Sequence, residues 1–314
     1  MDRNLALEFV RVTEAAAIGA AHWIGRGDKN QADGAAVNAM RTRFNQIDFS
    51  GTVVIGEGEK DKAPMLYTGE KVGTNKGPAM DLAIDPLECT SSVAYGRYNA
   101  MTVIASGPKG SLLHAPDTYM KKIAVGPLGK NAINLEASTK VNIEKAAKAL
   151  SKNVEDITVV ILDRERHYDL IKEVRDAGAR VRLITDGDVA AGIATCFPES
   201  GIDLLMGIGG STEAVLTAVP IKILGGEILC QFKPKKEVDI QKIKIAGIKN
   251  VDKIFTSEDL AQGKELTFTA TGVIDGPLLR GVVFGKNKVI THSIVIRGVS
   301  GTVRYITTHH HYYK

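Results

Sequence analysis

From about residue 155 the chain alternates two kinds of segment, and that alternation limits its fold more than any other feature. "ITVVILD" (157–163) is an apolar, β-branched run, and "HYDLIKEVRDAG" (167–178) is a helical pattern stopped by Gly178. "RVRLITD" (180–186) is a second strand, "DVAAGIATCF" (188–197) helical, and "IDLLMGIGG" (202–210) a third strand. "STEAVLTAVPIKILGG" (211–226) is helical again and "EILCQF" (227–232) a strand. Strands separated by helices of 10 to 15 residues build βαβ units on a parallel sheet.

The first half follows a different grammar. Residues 3–25 and 31–47 carry helical periodicity, with Leu5, Phe9, Val12 and Ala16 on one face and Val37, Met40, Phe44 and Ile47 on the other helix's face. Strand-like runs follow at "GTVVIG" (51–56), "MDLAID" (80–85), "AMTVIAS" (100–106) and "GSLLHA" (110–115). Few residues separate the last two, so an α+β arrangement with a partly antiparallel sheet is expected. From 265 the chain returns to strand-like runs, "ELTFTAT", "LLRGVVFG" and "VITHSIVIRG". With 314 residues, two ordinary domains fit, and "ALSKNVED" places the boundary near 150–156, giving domains 1–155 and 156–314. The expected fold class is thus α/β, α+β in the first half and parallel βαβ in the second.

Several function classes are disfavoured. No apolar run approaches the ~18 residues of a membrane helix, and the N-terminal stretch lacks a signal-peptide core, so no membrane partner is expected. A net charge of +4 and the absence of an arginine-rich, aromatic-interleaved segment argue against nucleic acid. The lysine-rich "KPKKEVDIQKIKIAGIKNVDK" (233–253) reads as a solvated face, and "THHHYYK" (308–314) as an exposed tail. Cys89, Cys196 and Cys230 have no metal-type spacing, which suits a reducing compartment.

The polar residues of the second half fall at the carboxyl ends of strands, where open α/β sheets bind ligands. Asp163, Arg164, Glu165 and Arg166 follow the first strand; Asp186, Gly187 and Asp188 follow the second; Gly209 and Gly210 lead to Glu213 after the third. Arginines mixed with carboxylates suit an anionic, hydroxyl-bearing ligand. The first half supplies acid: Asp33 near the start of the second helix, Glu57 and Glu59 after "GTVVIG", and Asp85 and Glu88 in "MDLAIDPLECTSSVAYG" (80–96). Singly, each has a plainer reading as helix cap or solvated loop. Together, carboxylates at strand ends call for cations, and an oxygen-only donor set selects Mg²⁺ or Mn²⁺ over zinc. Metal-activated water, arginines on a phosphate and backbone N–H groups at the helix start after Asp85-Pro86 describe phosphoryl hydrolysis.

"DPLECT" (85–90) resembles the D-P-[IL]-[DE]-G-T signature of the lithium-sensitive, metal-dependent phosphatase superfamily. "GRGDK…AD", "VVIGEGEKDKAPML", "APDTYMKK", "DRERH", "TDGDVA" and "GIGG" stand in the order found in class II fructose-1,6-bisphosphatases, a family that also covers sedoheptulose-1,7-bisphosphatase. The match runs to "GVSGTVRYI" near the C-terminus. The resemblance implies a layered α-β-α-β-α sandwich of the sugar-phosphatase type, with a metal-binding first domain, a substrate-binding second domain and the site between them. It implies hydrolysis of the 1-phosphate of fructose 1,6-bisphosphate, as in gluconeogenesis, by a cytoplasmic homo-oligomer (dimer or tetramer) using Mn²⁺ or Mg²⁺. Residue by residue, it makes Asp33, Glu57, Asp85, Glu88 and Glu213 metal ligands. Thr90 and Asp61 become the pair that positions and deprotonates the attacking water, with Lys29 aiding catalysis. Glu88, Cys89, Thr90, Tyr119, Arg164, Glu165, Arg166, Asp186, Gly187, Asp188 and Gly210 become substrate contacts.

Two departures stand out. Cys89 occupies the family's glycine position; if that position needs positive φ, a cysteine strains it by about 1–3 kcal/mol. After "GIGG" the family's usual A-P-E-G is Ser211, Thr212, Glu213, Ala214, which keeps the acid. Three other readings remain open. An inositol- or nucleotide-phosphate phosphatase would not need "DRERH" and "TDGD". A dinucleotide-binding oxidoreductase would need a third glycine that "GIGGSTEA" lacks. A catalytically weakened phosphosugar-binding protein would explain Cys89.

Overall fold

A computed structural model describes residues 5–58 and 65–311. Both N-terminal amphipathic patterns fold as helices, α1 (Leu5–Ala21) and α2 (Lys29–Phe44). The expected faces are the buried ones: Phe9, Val12, Ala16, Met40 and Phe44 are fully inside, and Leu5, Val37 and Ile47 nearly so. Phe9 packs edge-on to Phe44 and Phe49, with ring centroids 6.0 and 5.4 Å apart, so the helices share one aromatic core. Asp28 caps α2, its carboxylate accepting from the Gln31 N–H at 3.1 Å. Asp33 is therefore inside the helix.

The chain continues through β1 (Ser50–Ile55), β2 (Lys71–Val72), β3 (Ala79–Glu88), the short helix α3 (Thr90–Tyr95) and β4 (Ala100–Pro108). It then enters a second compact unit, residues 114–262, and returns to the first at 263. The second unit contains β5 (Tyr119–Val125), α4 (Thr139–Leu150), β6 (Thr158–Leu162), α5 (Tyr168–Asp176), β7 (Arg180–Ile184), α6 (Val189–Ala194) and β8 (Leu204–Gly210). It ends with α7 (Ser211–Ile223), β9 (Glu227–Phe232), α8 (Glu237–Ile245), β10 (Ile254–Phe255) and α9 (Ser257–Leu260). The closing strands are β11 (Thr267–Ile274), β12 (Val283–Phe284), β13 (Lys288–Arg297) and β14 (Thr302–His311).

Each unit has a mixed sheet. The first runs β12-β13-β11-β4-β3-β1-β2, with β14 also on β13; β1 and β3 are parallel, and β3-β4-β11-β13-β14 are antiparallel. The second runs β10-β9-β5-β8-β6-β7. Only β8-β6-β7 is parallel; β5 is antiparallel to both β8 and β9. The class is the expected mixed α/β, but the second sheet is not the purely parallel one the alternation suggested.

The division also differs from the boundary near 155. β5 and α4 precede that point and belong to the second unit, while β11 to β14 extend the first sheet through β4. The cause is β5: "YMKKIAV" places Lys122 inside a core strand, which breaks the apolar pattern. Lys122 is only 2% exposed. "GSLLHA" is not a strand, because Gly110 turns at φ 85° and the Ser111 N–H closes that turn onto Pro108 O at 3.0 Å. "THHHYYK" is not a free tail through 311: His309 to His311 are paired in β14. No helix among the described residues is long and apolar enough to cross a membrane.

Candidate active site

In the first unit, three sequence-distant carboxylates feel one another. Asp33 is on α2, Glu57 follows β1 and Asp85 is on β3. Burial pushes Glu57 up to about 9, and the charges of Asp85 and Asp33 add to the rise. Burial raises Asp33 as well. Among the described residues, no three His, Cys, Asp or Glu side chains converge closely enough to hold a metal ion. Residues 59–64, which include Glu59 and Asp61, lie outside the described residues. The donor set nonetheless has the chemistry of a hard-cation site, since a divalent charge beside Glu57 favours the ionised form that its neighbours oppose.

The segment "DPLECT" ends β3 with an irregularity. Pro86 has no N–H to donate, and the register to β4 shifts between Asp85 and Glu88. The Asp85 carboxylate accepts from the Leu87 N–H at 3.0 Å, and the Thr90 hydroxyl donates to Leu87 O at 3.0 Å. Glu88 is 2% exposed at the strand's end. Cys89 follows at φ 69°, ψ 46°, a left-handed conformation that favours glycine. Its Sγ accepts from Asn99 Nδ2 at 3.5 Å, which holds the cysteine in place. The N–H groups of Ser92 and Val93 bond to Cys89 O, so any anion-holding role for this helix start narrows to Thr90 and Ser91. Lys29 begins α2, its ammonium 5.5 Å from the Tyr95 ring centroid, with Arg97 on the same ring.

In the second unit, Asp163, Arg164, Glu165, Arg166, Tyr168 and Lys235 line an open cleft. Arg164 sits 3.6 Å from Asp186. Arg166 donates through Nε and Nη2 to Ile208 O at 3.1 and 2.8 Å, and its guanidinium lies 5.3 Å from the Tyr119 ring centroid. Lys235 caps the same ring, Nζ 3.7 Å from the centroid. Arg164, Arg166 and Lys235 against Asp163 and Glu165 leave the lining one positive charge in excess, and the guanidinium and ammonium on one tyrosine are the groups that could meet a phosphate.

Behind the cleft the charges are paired. Asp188 precedes α6 but does not cap it; both carboxylate oxygens take Lys122 Nζ at 2.9 Å. Burial opposes the Lys122 charge, but Asp188 and, less, Glu213 outweigh it and raise its pKa. Gly187, at φ 53°, turns the chain from Asp186 to Asp188. Gly210 ends β8, and a Cβ there would collide with the Glu213 carboxylate, which Thr212 Oγ1 also contacts at 2.7 Å. The glycine thus makes room for the chain's own acid.

Residues 3–310 match the family of bacterial, glpX-encoded fructose-1,6-bisphosphatases. The chain belongs to this family. It is 45% identical to fructose-1,6-bisphosphatase 1 class 2 of Escherichia coli strain K12, over 99% of this chain and 96% of that protein. The same identity and coverage hold for the class 2 fructose-1,6-bisphosphatase of Shigella flexneri. Among solved structures, the inositol monophosphatase of Anabaena (Nostoc) sp. PCC 7120 is 12% identical, covering 83% of this chain and 91% of that one with a TM-score of 0.39.

Of the expected site residues, Asp33 and Asp85 lie near enough to Glu57 for their charges to raise its pKa, and in the other unit Tyr119 meets Arg166 while Arg164 lies beside Asp186. Glu165 lines the cleft with the arginines. Asp188 differs from expectation: at 3% exposure and held by Lys122, it is a buried support. Asp61 lies outside the described residues. Three residues escaped sequence reasoning. Lys235 was absorbed into a lysine-rich surface stretch, Lys122 was masked by its neighbours Lys121 and Met120, and His167 closed "DRERH" behind more conspicuous arginines.

Proposed function

We propose that the protein is a metal-dependent phosphatase that hydrolyses the 1-phosphate of fructose 1,6-bisphosphate, giving fructose 6-phosphate and inorganic phosphate. What carries this is the 45% identity, across 99% of the chain, to a protein named for that activity. The cation-lined cleft suits a second phosphate, which separates a bisphosphatase from a monophosphatase of the same superfamily.

Asp33, Glu57, Asp85, Glu88 and Glu213 would hold Mn²⁺ or Mg²⁺. A bound divalent ion supplies positive charge at the phosphoryl oxygens and a more acidic water. Thr90 orients the attacking water and Asp61 takes its proton. The water oxygen bonds to phosphorus as the bond to the sugar oxygen breaks, and that oxygen leaves as a hydroxyl, taking back the proton that Asp61 removed from the water. Lys29 supports the charge developing beside the carboxylates. Arg164, Arg166 and Tyr119 hold the distal phosphate, Gly187 and Asp186 shape its rim, and Asp188, fixed by Lys122, supports them from behind.

The test is phosphate release from fructose 1,6-bisphosphate with Mn²⁺, with Mg²⁺ and after exhaustive chelation. Release that needs a divalent ion and exceeds that from inositol monophosphate supports the reading. A preference for the inositol ester, or no turnover with either ion, overturns it.

A further inference from the structure

His167 is 1% exposed, yet both its ring nitrogens are engaged by backbone. The Ile208 N–H donates to Nε2 at 2.8 Å, which fixes Nε2 as an acceptor. Nδ1 then carries the proton and donates it to Leu162 O at 2.7 Å. Leu162 is the last residue of β6 and Ile208 lies on β8. These strands pair directly only at Val159 with Leu204 and Val160 with Leu205. Beyond those pairs the imidazole takes over, joining the carbonyl of one strand to the N–H of the other. Arg166, one residue earlier, binds the Ile208 carbonyl. Both backbone groups of Ile208 are thus held by consecutive side chains of the "DRERH" turn. Gly207, at φ 145°, makes this possible, for a Cβ there would lie 3.1 Å from His167 Nε2.

We infer that His167 is a positioning residue: it locks the Arg164–Arg166 turn against β8 and so sets the aim of the phosphate-binding cleft. The inference rests on the proposed function only in naming what the cleft holds. A neutral ring with one donor and one acceptor suits the task, whereas a charged imidazolium would lose the Nε2 acceptor. Burial lowers the pKa of His167, which keeps it neutral; Arg166 and Arg164 oppose a charge there and Asp188 favours one. The ring belongs to the turn that carries the arginines, so its loss shifts them.

Two variants test this. His167→Leu fills the space but offers no hydrogen bond; His167→Gln offers a carbonyl to Ile208 N–H and an NH₂ to Leu162 O. His167→Leu should raise KM for fructose 1,6-bisphosphate about tenfold, the effect of leaving buried backbone groups unpaired near the cleft. Its kcat/KM for p-nitrophenyl phosphate, which has no distal phosphate, should stay within about twofold, and His167→Gln should recover most of the KM. Equal losses on both substrates, or no rescue by glutamine, would overturn the assignment. Amide hydrogen exchange needs no turnover: His167→Leu should speed exchange at residues 164–167 and 208 while α4 stays protected. Unchanged exchange there also overturns it. If the wild-type protein fails to hydrolyse the bisphosphate, the proposed function falls and the exchange result alone decides for His167.

Discussion

In the first unit, Glu57 is pushed up to about 9 by burial and by the like charges of Asp85 and Asp33. In the second, Lys122 and Asp188 are more deeply buried, yet they meet at 2.9 Å and settle each other's charge. The first arrangement keeps a proton on Glu57 unless a metal ion joins it; the second is complete within the chain. Chemistry that needs an exchangeable metal can use the first kind of site, and recognition that needs a fixed frame can use the second.

The largest expected effects fall on the acidic unit. Chelation should abolish phosphate release and Mn²⁺ or Mg²⁺ should restore it. Asp85→Asn should lower kcat by at least about a hundredfold, on the order of 3 kcal/mol in barrier, with the fold intact. A variant keeping a tenth of wild-type turnover would remove Asp85 from the metal.

Next comes pH. Glu57 titrates at about 9 in the folded, metal-free chain against an ordinary 4.5, so the native state holds a proton that the unfolded chain releases. Its contribution to stability is full below 4.5 and is lost progressively as pH rises toward 9, at no more than about 1.4 kcal/mol per pH unit. Thermal melts of the chelated protein should therefore fall over this window, and saturating Mn²⁺ should flatten the slope. A slope unchanged by metal would place the ion away from Glu57.

On the cation-lined cleft the effects are smaller and substrate-selective. Arg166→Ala should cost about 2–3 kcal/mol, roughly 30- to 150-fold in kcat/KM, on fructose 1,6-bisphosphate. Lys235→Met should raise KM for the bisphosphate about three- to fivefold, because its exposed ammonium is solvated and adds charge without bidentate geometry. No change would leave Lys235 as a lysine resting on Tyr119.

The smallest effect is at Cys89. Relief of the left-handed conformation by Cys89→Gly is worth about 1 kcal/mol, and loss of the buried sulfur and its Asn99 contact offsets most of it. A modest gain in kcat/KM, about twofold, is expected; a loss would mean that the surrounding backbone has adapted to the cysteine.

Much of this was legible in the sequence, for identifiable reasons. The faces of α1 and α2, the strands β1, β3, β6, β7 and β8, and the helices between them follow from uninterrupted periodicity. The acids and arginines stood out because they occur at strand ends. β5 was hidden because its core position 122 is a lysine whose partner, Asp188, comes 66 residues later. The same pairing turned Asp188 from an expected contact into a support. β14 was hidden because Thr, Tyr and three histidines on an edge strand look like a polar tail. Cys89 was legible as a departure, but only its φ of 69° reveals a conformational cost. His167 was in plain view, and only the short β6–β8 ladder gives it work.

The division of labour between the two units is tested most directly by measuring kcat/KM for Asp85→Asn and Arg166→Ala on both fructose 1,6-bisphosphate and p-nitrophenyl phosphate. Asp85→Asn should lose activity on both substrates alike, since in the proposed mechanism hydrolysis itself depends on the carboxylates. Arg166→Ala should lose it on the bisphosphate and hold within about twofold on the small ester, which has no second phosphate to bind. Parallel losses for Arg166→Ala on the two substrates would contradict the account, because the cleft would then serve the hydrolytic step and not the recognition of a second phosphate.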